Sequence, residues 1–156
     1  MWEKLRNGIV FNTTPVKILL FSDSSISTMQ KFIQNTEFKY EAGGIILGEV
    51  KSEHIYVTDV SSPKKNDIRK STYFERNDKA HISFYEYRYN QNNCIKYFGE
   101  WHTHPEKKPI PSLTDKREWN KICMTVREPN IFLIIGTHDI YIEIKWNKKI
   151  SLYGLS

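Results

Sequence analysis

The sequence predicts an α+β fold with the architecture of a three-layer α/β sandwich. Three observations carry this. Short β-branched and aromatic runs recur along the chain, segments with apolar residues at steps of three and four interrupt them, and the two kinds do not alternate regularly as a doubly wound parallel sheet requires. With 156 residues and no internal repeat, the chain is expected to form one domain, residues 1–156.

The elements follow in order. Val16 to Phe21 mixes β-branched and aromatic residues and reads as a strand. Asp23 or Ser24 is placed to cap a helix reaching to about Thr36, because Ile26, Met29, Phe32 and Ile33 form one apolar stripe. Gly43 to Val50 and His54 to Val60 are β-rich runs separated by Lys51-Ser52-Glu53, a length suited to a hairpin. Within the first run, Gly43-Gly44-Ile45-Ile46-Leu47-Gly48 is apolar throughout, as a strand buried on both faces would be. Its glycines lack the G-x-G-x-x-G and G-K-[ST] spacings of a phosphate loop and read as places where backbones approach closely.

Ser61 to Ser71 is polar and basic with one proline and reads as a loop, after which Thr72 to Glu75 returns as a strand. Asn77 is placed to cap a helix with Ala80, Phe84 and Tyr87 on its apolar face. Ile95 to Thr103 reads as a strand that Pro105 to Pro111, with three prolines, cannot continue. Ser112 opens a helix to about Val126. Ile131 to Ile135 and Tyr141 to Trp146 form a last hairpin, with Ile150 to Tyr153 as a final strand.

Composition narrows the function classes. Hydrophobic residues at 39%, charged residues at 26%, seven Gly and six Pro exclude collagen-like and disordered chains. The longest apolar run, Ile131 to Ile135, is far shorter than the roughly 18–20 residues that span a bilayer. The amino terminus carries both charge signs and no apolar stretch, so a secretory signal is not expected and the chain reads as cytoplasmic. Cys94 and Cys123 form no C-x-x-C pair, which excludes a disulfide scaffold and an all-cysteine zinc site. The net charge of +5 raises nucleic acid as a partner. Its basic residues gather in two short places, around Lys64, Lys65, Arg69 and Lys70 and around Lys145, Lys148 and Lys149, which read as solvated loops without a nucleic-acid-binding motif.

The informative segment is Gly99-Glu100-Trp101-His102-Thr103-His104-Pro105, followed by Pro111-Ser112-Leu113-Thr114-Asp115. Residues two apart on a strand share a face, so His102 and His104 present their imidazoles side by side while Trp101 and Thr103 pack on the other face. The proline-rich loop turns the chain, and Asp115 falls in the first turn of the next helix, aimed back at the strand end. Two imidazoles and one carboxylate suit zinc, with water as the fourth ligand of a hydrolytic site. Ser112 and Asp115 also fit a variant capping box, and both roles can hold together because a cap positions Asp115. Periodicity cannot choose a general base: Glu100 shares the histidines' strand face and reads as a partner orienting an imidazole or as a solvated rim carboxylate, and Glu106 follows directly. His54, His81 and His138 lie away from this motif and read as structural or exposed.

His102, His104, Ser112 and Asp115 at this spacing, with His104-Pro105, resemble the signature of the JAMM (MPN+) zinc metalloproteases. Glu41-Ala42-Gly43-Gly44-Ile45-Ile46-Leu47-Gly48 is similar to the upstream glutamate and small apolar strand of that family. The resemblance spans roughly Val16 to Ile144. It implies the cytidine-deaminase-like JAB/MPN fold, an α/β/α sandwich around a mixed sheet. It implies one Zn²⁺ per chain held by His102, His104 and Asp115, Glu41 as the residue that holds and deprotonates the bound water, and Ser112 as the donor that steadies the oxyanion.

Members of that family cleave isopeptide or peptide bonds after the C-terminal glycine of ubiquitin or a ubiquitin-like protein. The chain looks most like small stand-alone bacterial members, similar to the deconjugating peptidases of CBASS-type antiphage operons. The resemblance therefore implies a protein conjugate bound through its C-terminal tail, with activating and conjugating enzyme homologues and a nucleotidyltransferase as further partners. Two other readings stay open at this stage, a non-catalytic MPN interaction scaffold and a zinc amidase for a small molecule.

Overall fold

In the computed structural model, which describes residues 1–12 and 15–154, most of the strands expected from the sequence join one mixed sheet. The sheet comprises the unexpected β1 (Ile9–Val10) together with β2 (Ile18–Phe21), β3 (Gly43–Lys51), β4 (His54–Val60), β7 (Lys96–Thr103), β8 (Asn130–Ile135), β9 (Ile140–Trp146) and β10 (Lys149–Tyr153). Their spatial order is β1-β2-β4-β3-β7-β8-β9-β10. β2 runs parallel to β4 and β7 parallel to β8, while the other neighbours are antiparallel. A separate antiparallel hairpin, β5 (Ile68–Lys70) and β6 (Tyr73–Glu75), stands outside this sheet.

Alternation along the strands divides the core into layers. On one face Ile46, Trp101, Ile131 and Leu133 pack with Leu5 of α1 (Trp2–Asn7) and Ile26 and Met29 of α2 (Asp23–Gln30). On the other, Ile45 and Leu47 meet Phe84 of α3 (Ala80–Gln91), and Phe132 and Ile134 meet Trp119 of α4 (Leu113–Thr125). Trp119 stacks on Phe132 with ring centroids 4.7 Å apart and an interplanar angle of 12°. Burying side chains of this size contributes roughly 1.5–3 kcal/mol each, which holds α4 against the sheet beside the site. The result is an α+β, three-layer α/β/α arrangement. No helix among the described residues is long and apolar enough to cross a membrane.

An irregularity in β7 aims the histidines. The β3–β7 register shifts between Ile46, opposite Gly99, and Leu47, opposite Tyr97, so Phe98 is the extra residue of a bulge. Phe98 and Trp101 consequently share the core with α1 and α2, and Glu100 and His102 line the cleft on the α4 side. Gly99 permits this because a Cβ there would overlap the Ile131 carbonyl. The glycines of β3 likewise serve close packing: a Cβ on Gly44 would overlap Ser61.

Several sequence expectations need correction. α2 is capped by the Ser22 hydroxyl, which accepts from Ser25 N–H, not by Asp23 or Ser24, and it ends at Gln30 instead of Thr36. Asn77 caps nothing: α3 has Lys79 at its N-cap, and Asp78 Oδ1 accepts from Ala80 N–H. The Ser61–Ser71 stretch is not wholly loop, since β5 lies within it. α1 and β1 escaped notice because six and two residues are too few to show a period.

Candidate metal centre

Each proposed ligand arrives on a different local device. His102 is the last residue but one of β7, and His104 directly follows the strand, anchored by its N–H donating to Ile135 O at 2.9 Å. Thr103 between them turns to the other face, donating its N–H to Ala42 O at 2.8 Å and accepting from Ala42 N–H through Oγ1 at 2.9 Å. Asp115 comes from the first turn of α4, fixed by a complete capping box with Ser112. Glu41 immediately precedes the Ala42–Thr103 tie and is 5% exposed.

These four side chains converge. His102 Nε2 and His104 Nε2 lie 3.0 Å apart. Asp115 Oδ1 is 3.3 Å from His102 Nε2, and Asp115 Oδ2 is 3.3 Å from His104 Nε2. Glu41 Oε1 stands 3.9 Å from His104 Nε2. Zinc bonds of roughly 2.0–2.2 Å at tetrahedral angles separate neighbouring ligand atoms by about 3.3 Å. Two imidazole nitrogens and a carboxylate at that spacing fit such an ion. Glu41, His102 and His104 also cluster closely enough to share a cation, but the longer Glu41 distance favours Asp115 as the third ligand. His104 Nδ1 is buried and finds no hydrogen-bond partner among the described residues, with Glu106 Oε2 3.8 Å away.

The electrostatics describe a site that carries strong mutual constraints. Burial raises the Glu41 carboxyl to about 7, although the nearby His104 opposes this. Burial works in the same direction on Asp115, yet hydrogen bonds from His102 and His104 outweigh it and hold that carboxyl well below the usual range. For His104 burial disfavours the charged ring, but the bond to Asp115 and the charge of Glu41 push its pKa up. Without a bound ion, two carboxylates of one residue class are thus shifted in opposite directions within the same cluster.

The centre opens into a cleft of about 770 Å³ between the β5–β6 hairpin and α4. Phe74 and Arg76 line it on the hairpin side, Glu118 and Trp119 on the α4 side, and Ser112 is also among its lining. Ser112 Oγ accepts from Asp115 N–H at 3.0 Å, which leaves its own O–H free to donate.

Glu100 corrects the sequence reading. Its carboxylate accepts from Arg76 Nε, so it is neither a histidine's partner nor a solvated rim acid. The solvated-loop reading also fails for Arg69, whose Nε donates to Glu41 O at 2.8 Å. His81 is structural, fully buried between Ser61 Oγ at 2.6 Å and Asp67 Oδ2 at 2.7 Å, whereas His54 and His138 are exposed. Arg69, Arg76 and Asp67 went unread as contributors. The one available signal was the brief Ser71-Thr72 break between two short runs, which suits a hairpin.

The comparisons agree with this architecture. Residues 30–147 match the family of prokaryotic homologs of the JAB domain, and the chain belongs to that family. A CD-NTase/cGAS isopeptidase of Escherichia coli (strain TW11681) is 40% identical over 140 residues, covering 89% of this chain and 89% of that protein. One of Pseudomonas aeruginosa (strain BWHPSA011 / Pa011) is 35% identical over 130 residues, covering 81% and 82%. The solution structure of protein DSY2949 from Desulfitobacterium hafniense superposes with a TM-score of 0.60 over 87% of this chain and 90% of its own, at 16% identity, a likeness of fold.

Proposed function

We propose that this protein is a zinc-dependent isopeptidase. It releases a protein conjugated through its C-terminal tail, and the conjugate is a CD-NTase-type nucleotidyltransferase of a CBASS-like system. The observation that carries the reading is the convergence of His102 Nε2, His104 Nε2 and the Asp115 carboxylate at 3.0–3.3 Å beside Glu41, at the floor of an open cleft. The names of the relatives support the linkage type and the conjugate. The proposed setting is the cytoplasm, where the unpaired Cys94 and Cys123 stay reduced.

His102, His104 and Asp115 would hold the ion. When bound, zinc lowers the pKa of a coordinated water toward roughly 7 and polarises the scissile carbonyl. Glu41 takes a proton from the attacking water on a carboxylate oxygen and passes it to the leaving amine nitrogen. Ser112 O–H donates to the carbonyl oxygen as negative charge develops there. The cleft receives the tail and keeps its scissile bond against these groups.

Incubating the zinc-loaded protein with such a conjugate is expected to release the free modifier, and Glu41→Ala to abolish release while one zinc per chain is retained. Release unchanged in Glu41→Ala removes Glu41 from the mechanism.

A further inference from the structure

Glu41 reaches its place through its backbone. Its carboxylate stands 3.9 Å from His104 Nε2, beyond hydrogen-bond distance. Both of its main-chain groups are instead engaged by the β5 strand of the separate hairpin. Glu41 N–H donates to Lys70 O at 2.8 Å, and Arg69 Nε donates to Glu41 O at 2.8 Å, with Arg69 Nη2 reaching Tyr40 O at 3.5 Å. One residue further on, Ala42 is tied to Thr103 of β7, so Glu41 is the joint between the hairpin and the strand that bears His102.

The hairpin is itself held firmly enough to act as a fixed arm. At its base the Asp67 side chain, fully buried, accepts from Lys64 N–H at 2.7 Å, from Asn77 N–H at 2.9 Å and from Asp78 N–H at 3.0 Å, and contacts His81 Nε2 at 2.7 Å. At its tip Gln34 Nε2 donates to Ser71 O at 2.9 Å. Arg69 also lies 5.7 Å over the Phe32 ring, whose centroid is 6.2 Å from that of Trp101, the residue preceding His102.

We infer that Arg69 is a positioning residue: its guanidinium grips the Glu41 carbonyl and thereby sets the general base against the metal centre. The inference rests on the isopeptidase reading for its consequence in catalysis, but the clamp itself is a property of the chain. A base displaced by about 1 Å loses on the order of 10²-fold in rate while ground-state binding is little changed.

The test uses the full chain with Arg69→Ala and Arg69→Lys, followed by steady-state kinetics on the conjugate, elemental zinc analysis and amide hydrogen exchange by NMR. For Arg69→Ala the expected result is a fall in kcat of tenfold or more, KM within twofold and one zinc per chain. Arg69→Lys, which keeps one donor for the Glu41 carbonyl, recovers part of kcat. In Arg69→Ala the Glu41 amide exchanges at least tenfold faster while Ile45 and Phe132 amides stay protected. Unchanged kcat in Arg69→Ala overturns the inference, as does a loss of kcat that comes with loss of zinc and of core protection. If wild-type protein with zinc releases nothing, the isopeptidase reading falls, and exchange at Glu41 still decides the clamp: unchanged exchange overturns it.

Discussion

Ser112 and Asp115 fasten each other at the start of α4. Ser112 N–H donates to Asp115 Oδ2 at 2.8 Å, and Asp115 N–H donates to Ser112 Oγ at 3.0 Å. The same Oδ2 lies 3.3 Å from His104 Nε2, so the contacts that begin the helix also aim the carboxylate at the imidazoles. Capping and the proposed ligation share one arrangement here, and substitutions test them separately.

Asp115→Asn keeps an oxygen for the Ser112 amide but removes the charge facing both histidines. Zinc affinity is expected to fall at least tenfold to a hundredfold. The zinc-free protein is also expected to lose stability at neutral pH by more than the roughly 1 kcal/mol of a cap, because the variant removes the charge that the hydrogen bonds from His102 and His104 hold ionised. Competition with a chelator reads the first and urea unfolding the second; full zinc affinity in this variant contradicts Asp115 as a ligand.

Ser112→Ala removes both the cap acceptor and the free hydroxyl. It should cost about 1 kcal/mol of stability and lower kcat by roughly 10²-fold with zinc retained. Ser112→Thr preserves both groups and should restore most of each. Equal kinetics for Ala and wild type would assign Ser112 to the helix cap alone.

The expected metal ligands were legible from spacing. His102 and His104 sit two apart on a strand, and Ser112 with Asp115 matches a capping pattern. The β3, β4, β7, β8 and β9 runs were legible because each is six residues or longer and rich in β-branched or aromatic residues. Strand order was not, since the parallel β2–β4 and β7–β8 pairings join segments far apart in sequence. The β7 bulge was hidden too, because it depends on Gly99 lying against the Ile131 carbonyl. Glu41 became identifiable only by family resemblance: no local period connects it to His104, and Arg69, which grips it, looks like any solvated cation in a basic stretch.

The pH dependence of the zinc-free protein separates two carboxylates of opposite sign. Burial raises Glu41 to about 7, above its value in the unfolded chain. Folding therefore binds a proton at this residue, and stability is lost as pH rises from about 4.5 to 7. Glu41→Gln has no such loss. It should match wild type at pH 4 and exceed it at pH 8 by an amount on the order of 2–3 kcal/mol. Urea unfolding in EDTA at the two pH values measures the difference, and equal stability at pH 8 contradicts a destabilised Glu41.

Asp67 behaves in the opposite sense. Burial alone would raise its pKa, but the amides of Asp78 and Lys64 and the ring of His81 lower it. Its contribution to stability is present above the unfolded value near pH 4 and lost as pH falls through the depressed folded value. Asp67→Asn should cost roughly 1–3 kcal/mol at neutral pH, because Nδ2 cannot accept from the groups that Oδ2 serves. The gap between variant and wild type should narrow below about pH 4. A gap that stays constant from pH 7 to pH 3 contradicts this account.

The central claim is that His102, His104 and Asp115 hold one zinc ion with Glu41 beside it. Crystals grown with zinc, with diffraction recorded on both sides of the zinc absorption edge, test this directly. The account predicts one anomalous peak per chain, roughly 2.0–2.2 Å from both Nε2 atoms and an Asp115 oxygen, with Glu41 outside bonding distance. No peak at this site, or a peak bonded to Glu41 in place of Asp115, contradicts it.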